Sequence, residues 1–207
     1  RKIYEISSGT NSDSQVVAMK DMGEETISRF IHLAENQHEM RGVTSGFKDL
    51  DNKLSGFQKS DLIILAARPS VGKTSLALDL ARNAAIKGNV PVVVFSLEMS
   101  KQQLVDRMLA AQAQVDSWKL RTGKLDMGEV LERLQQGMHE LMQAPIFIDD
   151  KPANTIMNMR SVLRKLNHDK PVGLVIVDYL QLMGTSKNYD NMVNQVTEIS
   201  RSLKGLA

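Results

Sequence analysis

Leu62-Ile-Ile-Leu-Ala-Ala-Arg-Pro-Ser-Val-Gly-Lys-Thr74 decides the fold of this chain. A short apolar run, Leu62 to Ala66, leads into a turn carrying Pro69 and Gly72. An Ala/Leu-rich helix is expected from about Lys73 to Lys87. Strand, glycine-containing turn and helix, in that order, form the setting in which Ala67-Arg-Pro-Ser-Val-Gly-Lys-Thr74 becomes a phosphate-binding loop, although Ala67 stands where the pattern has its first Gly. The chemistry follows from the residue types. Gly72 lets the backbone approach a phosphate, and the amides from Ser70 through Thr74 are expected to point at the anion. Lys73 offers its ammonium to β- and γ-phosphates, and the Thr74 hydroxyl is a ligand for Mg²⁺. Arg68, Pro69, Ser70, Val71, Gly72, Lys73, Thr74 and Ser75 are the candidate nucleotide-binding residues.

Downstream, the pattern stays regular. Pro91-Val-Val-Val-Phe95, Ile146-Phe-Ile148 and Leu174-Val-Ile-Val-Asp178 read as buried strands. Helical spacing places helices between them: one capped by Ser100 with Gln103 at the reciprocal position, one from about Gly128 to Met142, and one carrying Ile156, Met159, Val162, Leu163 and Leu166. A last helix begins near Val193. Strands apolar on both faces, alternating with helices, indicate a parallel sheet covered on both sides. The expected fold class is α/β, a doubly wound, mostly parallel sheet in three layers.

Ligands of open α/β sheets sit at the carboxyl edge, which gives strand-end acids their interest. Asp178 closes the run Leu174 to Val177 and is the candidate second Mg²⁺ ligand, set across from Thr74. Glu98, in Phe95-Ser-Leu-Glu-Met-Ser100, has two readings of equal weight. It is a base beside the γ-phosphate, or a solvated acid favoured by the dipole of the helix that follows. Asp149 and Asp150 read as a turn and helix-start pair before Pro152. His32, His38, His139 and His168 lack ligand spacing. The 12 methionines are expected to fill the helical core. Arg160, Arg164, Lys165, His168 and Lys170 are expected to form the solvated face of their helix.

Composition bounds the rest. The 207 residues are 42% apolar and 24% charged, values of an ordinary folded domain. No apolar run approaches the ~20 residues of a membrane-spanning helix. The chain has no cysteine, so disulfides and thiolate metal sites are excluded, which suits a cytoplasmic protein. With 26 basic and 24 acidic residues, the net charge of +2 is no nucleic-acid signature by itself. Nine aromatics, 4% of the chain, argue against a broad base-stacking surface.

Both ends read as cut from a longer protein. Ser7 to Ser14 is a polar stretch expected to be a linker. Asp21 with Glu24 is expected to cap a helix whose Ile27, Phe30, Ile31 and Ala34 share one face, ending at Glu35. That face needs a partner. The Gly-containing loop after Asp178, residues 184–193, carries Lys187 as a candidate phosphate contact.

Together these stretches resemble the DnaB-type replicative helicase family. The likeness is carried by Thr44-Ser-Gly-Phe-Lys-Asp-Leu-Asp51, Ser60 through Thr74, Phe95-Ser-Leu-Glu-Met-Ser100, Leu120-Arg-Thr-Gly-Lys-Leu125, Ala144-Pro-Ile-Phe-Ile-Asp-Asp150 and Val177-Asp-Tyr-Leu-Gln-Leu-Met183, in the family's order. The resemblance implies a RecA-like ATPase domain in a homohexameric ring that uses ATP and Mg²⁺ at subunit interfaces and moves 5′→3′ on single-stranded DNA. It implies Lys73 and Thr74 as the phosphate-loop pair, Glu98 as catalytic base, Asp178 as the Walker B carboxylate, and Lys187 in a DNA-binding loop.

Residues 1–42 would be linker and linker helix, docking between protomers. Residues 43–207 would be the ATPase domain, lacking on its C-terminal side the sensor strand, second DNA loop and arginine finger of the family pattern. Primase and helicase loader are implied partners through regions outside the chain. A RecA-type recombinase or RecA-like regulatory ATPase, and a nucleotide-stabilised interaction module, are the alternatives. The Ala-Arg-Pro-Ser loop and Asp-Tyr-Leu-Gln-Leu favour the helicase.

Overall fold

The computed structural model describes residues 18–35, 40–124, 128–184 and 191–207. The chain divides into two units, Arg1–Glu39 and Met40–Ala207. In the first, a 3-10 turn over Met19–Met22 leads into α1, Gly23–Glu35. Asp21 does not cap it. The turn begins from extended Ala18, so Asp21 lies inside it and gives its N–H to the Ala18 carbonyl at 2.9 Å. The expected apolar face of α1 is present and bare: Ile27, Phe30 and Ile31 are 60, 57 and 54% exposed.

The second unit opens on a locked segment. Buried Asp51, in the short helix α2 (Lys48–Leu54), accepts from the Thr44 hydroxyl at 2.7 Å and from the N–H groups of Ser45 and Gly46 at 2.8 and 3.2 Å. Gly46 has φ +77°, and a Cβ there would lie 2.4 Å from the Asn83 amide carbon. Asn83 in turn donates to the Ser45 carbonyl at 3.1 Å, which ties the segment to α3, Lys73–Gly88.

Three parallel strands follow: β1 (Val92–Ser96), β2 (Ile146–Asp149) and β3 (Leu174–Asp178), in the order β2-β1-β3. Val92 pairs with Ile146 and Leu174, and Ser96 with Asp178. Alternation along β1 builds two cores, because successive side chains point to opposite faces. Val92 and Val94 pack with Leu78, Ala81, Ala84 and Ala85 of α3 and with Leu104 and Met108 of α4 (Lys101–Gln112). Val93 and Phe95 pack on the other face with Met159 and Leu163 of α7 (Ile156–Asp169) and with Ile199 and Leu203 of α8 (Met192–Lys204). The two-sided parallel sheet is the expected fold.

The expected capping box of α4 is formed, with Ser100 N–H donating to Gln103 at 3.1 Å and Gln103 N–H to Ser100 at 3.4 Å. Helices α5 (Ser117–Thr122) and α6 (Glu129–Gln143) complete the layer on the α3 side, and α5 was not foreseen.

Two expectations fail. Leu62 to Ala66 is not a strand: among the described residues nothing pairs with it, and Ile63, Ile64 and Leu65 are 52, 66 and 41% exposed. An apolar run takes strand geometry only when a neighbour satisfies its backbone groups, and only Leu62 reaches a core cluster. The methionines are not mainly core either. Met108, Met159 and Met183 are buried, but Met19, Met22, Met40, Met138, Met142, Met157 and Met192 are exposed. A flexible, unbranched side chain at an apolar helix position does not require burial. The Arg160, Arg164 and Lys165 side chains are solvent-exposed, as expected.

Candidate nucleotide site

The loop and the sheet edge meet at Asp178. Gly72 precedes α3 with φ +97°, and a Cβ built on it meets nothing within 4 Å, so the backbone here faces open space. Residues 68–72 are all exposed. This is the cradle a phosphate requires: free amides at a helix start with no side chain in the way. The first turn of α3 then presents Lys73 and Thr74.

Asp178 reaches this turn from across 104 residues of chain. Its carboxylate, only 8% exposed, accepts from the Thr74 hydroxyl at 2.6 Å on one oxygen and lies 3.1 Å from the Lys73 ammonium on the other. Two features fix its position: pairing with Ser96 in the sheet, and the Leu97 N–H, which donates to the Asp178 carbonyl at 2.8 Å. The Lys73 ammonium also sits 4.3 Å from the ring centroid of Tyr179. The structure thus brings together Lys73, Thr74 and Asp178 as expected, and adds Tyr179. Nothing in residue spacing singled out Tyr179, because contact across the sheet edge leaves no periodic signal.

Glu98 stands at the same edge, two residues beyond Ser96, the register partner of Asp178. Its turn is held by Ser96, whose hydroxyl donates to the Met99 carbonyl at 2.7 Å and accepts from the Met99 N–H at 3.1 Å. The Glu98 side chain is exposed and has no hydrogen bond or ion pair among the described residues. A carboxylate held up by a rigid turn and left unengaged is free to meet a water.

Asp149 and Asp150 are structural. Asp149 accepts from Lys151 N–H at 3.0 Å. Asp150 accepts from Lys101 N–H at 2.9 Å in the first turn of α4, and that bond holds its carboxyl below the usual range. Lys187 lies outside the described residues. The base of its loop is pinned, with Gly184 N–H donating to the Asn154 carbonyl at 3.1 Å. A cavity of about 390 Å³, lined by Asn89, Pro145, Phe147 and Lys170, lies toward the amino end of β2, away from this chemistry.

The donor set fits a nucleotide with a divalent cation. A hydroxyl and a carboxylate 2.6 Å apart can both turn to one cation, with an ammonium alongside for phosphate oxygens. No cluster of three or more His, Cys, Asp or Glu that could hold a metal ion occurs among the described residues. Thr74 and Asp178 therefore suit a metal that arrives with phosphate rather than one caged by protein alone.

Fold and site define a P-loop nucleotide-binding α/β domain of the RecA-like type. The chain belongs to the DnaB-like helicase C terminal domain family, whose model matches residues 42–207. It is 45% identical over 208 residues to the replicative DNA helicase DnaB of Geobacillus stearothermophilus, covering 100% of this chain and 45% of that protein. It is 39% identical to the replicative DNA helicase DnaC of Bacillus subtilis, with the same coverage. Among solved structures it resembles an ATPase domain solved by itself, with TM-score 0.82 and 29% identity over 89% of this chain and 66% of that one. A DnaB-like replicative helicase, solved in a study of its interactions with primase, matches with TM-score 0.81 and 27% identity, over 99% of this chain and 48% of that one. The chain spans less than half the length of the two curated helicase relatives.

Proposed function

We propose that this chain is the motor domain of a replicative DNA helicase, hydrolysing ATP with Mg²⁺ at the interfaces of a homohexameric ring and moving 5′→3′ on single-stranded DNA. The observation that carries this is the convergence of Lys73 and Thr74 on Asp178 within 3.1 Å, at the carboxyl edge of a parallel sheet. The amides of residues 70–74 bind the phosphates, and Lys73 draws charge from the β,γ-bridge. Thr74 and Asp178 hold the metal, which neutralises phosphate charge when bound. Glu98 orients the attacking water and accepts its proton.

The bare face of α1 supports ring assembly. Ile27, Phe30 and Ile31 find no burial within their own unit, and docking on a neighbouring copy supplies it. On this reading residues 1–42 join protomers and residues 43–207 form the motor. Lys187 contacts DNA phosphates in the channel, and a primase and a helicase loader bind the assembled protein in the cytoplasm.

A strand-displacement assay on the whole protein tests the proposal. ATP-dependent release of a strand annealed to a 5′-tailed template is expected, and Lys73→Ala abolishes it. Strand exchange without unwinding would instead identify a recombinase.

A further inference from the structure

We propose that Tyr179 is a positioning residue for Lys73. Its ring face carries the ammonium at the mouth of the loop and keeps it there when Asp178 turns to the metal. This rests on the nucleotide reading of the loop.

Lys73 has two partners among the described residues, the Asp178 carboxylate at 3.1 Å and the Tyr179 ring at 4.3 Å. The first is also the acceptor for Thr74. A carboxylate that ligates a divalent cation cannot hold an ammonium equally well, because the two cations repel and compete for its lone pairs. The ring has no such conflict. It is neutral, ligates no metal, and attracts the ammonium through its quadrupole while leaving the other N–H donors free for phosphate oxygens. With only 28% of the Lys73 side chain open to water, that attraction is stronger than at an open surface.

The ring is held in place from both sides. On one, Asp178 O accepts from Leu97 N–H at 2.8 Å; on the other, Tyr179 O accepts from Leu182 N–H at 3.1 Å. Beyond it, Leu180 packs on the core cluster of Phe95 and Met159. The Tyr179 hydroxyl has no hydrogen bond among the described residues. The aromatic face, and not the hydroxyl, is therefore the working part, so Phe should replace Tyr and an aliphatic residue should not.

The test is equilibrium binding of a fluorescent ADP analogue to the whole protein, followed by anisotropy. Tyr179→Leu is expected to weaken binding about 3- to 10-fold, and Tyr179→Met, which keeps bulk without the ring, similarly. Tyr179→Phe is expected to stay within about two-fold of wild type. In a Lys73→Ala background, Tyr179→Leu should change nothing further, a coupling that a merely structural role would not produce.

Full loss in the Phe variant, or an undiminished Leu effect without Lys73, overturns the assignment. So does wild-type binding by both the Leu and Met variants, provided Lys73→Ala still weakens binding. If Lys73→Ala itself binds as wild type does, the nucleotide reading of the loop falls, and Tyr179 with it.

Discussion

Leu62-Ile-Ile-Leu-Ala66 and Val92-Val-Val-Phe-Ser96 carry nearly the same apolar pattern and end in opposite states. Each residue of the second is at most 1% exposed, while Ile64 in the first is 66% exposed. The difference lies in the neighbours. β1 has a parallel partner on each edge and a helical layer on each face, whereas 62–66 pairs with no described residue. Apolar side chains make a strand possible, and ladder partners make it real. The functional halves divide the same way. Asp178 is fixed by the sheet, while the loop that carries Lys73 hangs from an unpaired run and meets the sheet edge through that carboxylate and the Tyr179 ring.

The largest effect expected from this contrast is on stability. Phe95→Ala removes a ring from a fully buried site and should cost about 3–5 kcal/mol in urea denaturation. Ile64→Ala should stay within about 0.5 kcal/mol. Comparable losses would show that the 62–66 run is buried in solution.

Next comes the bare face of α1. Burying Ile27, Phe30 and Ile31 on a neighbour is worth roughly 1.5–3 kcal/mol per side chain before ordering costs. Phe30→Asp should therefore dissociate oligomers in sedimentation velocity while circular dichroism stays native. A variant that remains fully assembled removes α1 from the subunit contact.

A smaller effect concerns the locked segment. Burial raises the pKa of Asp51, but the bonds from Ser45, Thr44 and Gly46 outweigh it and leave the carboxyl below its usual value. A depressed folded-state pKa contributes stability above the unfolded value of about 3.9, and that stability is lost as pH falls through the folded value. Asp51→Asn should therefore flatten the acid limb of a stability–pH curve. An unchanged limb would show that Asp51 does not set it. The smallest effect is at Lys187. Lys187→Ala should lower the salt slope of single-strand binding by about one and weaken all sequences alike. An unchanged slope would remove it from the DNA contact.

What could be read in advance follows the same division. The loop at 67–74, the capping box Ser100–Gln103 and the strand end at Asp178 each lie within a few residues of the features that define them, so local sequence suffices. The two-sided core follows from strands that are apolar on both faces. The fate of 62–66 depends on partners far away in the chain, and the seven-residue α2 and six-residue α5 are too short for a helical period to declare itself. Asp21 carried a sound capping signal, overridden by a turn begun at Ala18. Tyr179 could not be found by spacing, because its role lies in touching a side chain far earlier in the chain, that of Lys73.

The most direct measurement pairs nucleotide binding with ATP hydrolysis by the Glu98→Gln protein, with and without single-stranded DNA. Gln keeps the shape of Glu98 and removes the base. Binding should persist, wild-type hydrolysis should rise with DNA, and the variant should hydrolyse about 10²–10⁴-fold more slowly. Hydrolysis by Glu98→Gln at the wild-type rate would contradict the assigned chemistry of this edge. A wild-type protein indifferent to DNA would contradict its assignment as a DNA motor.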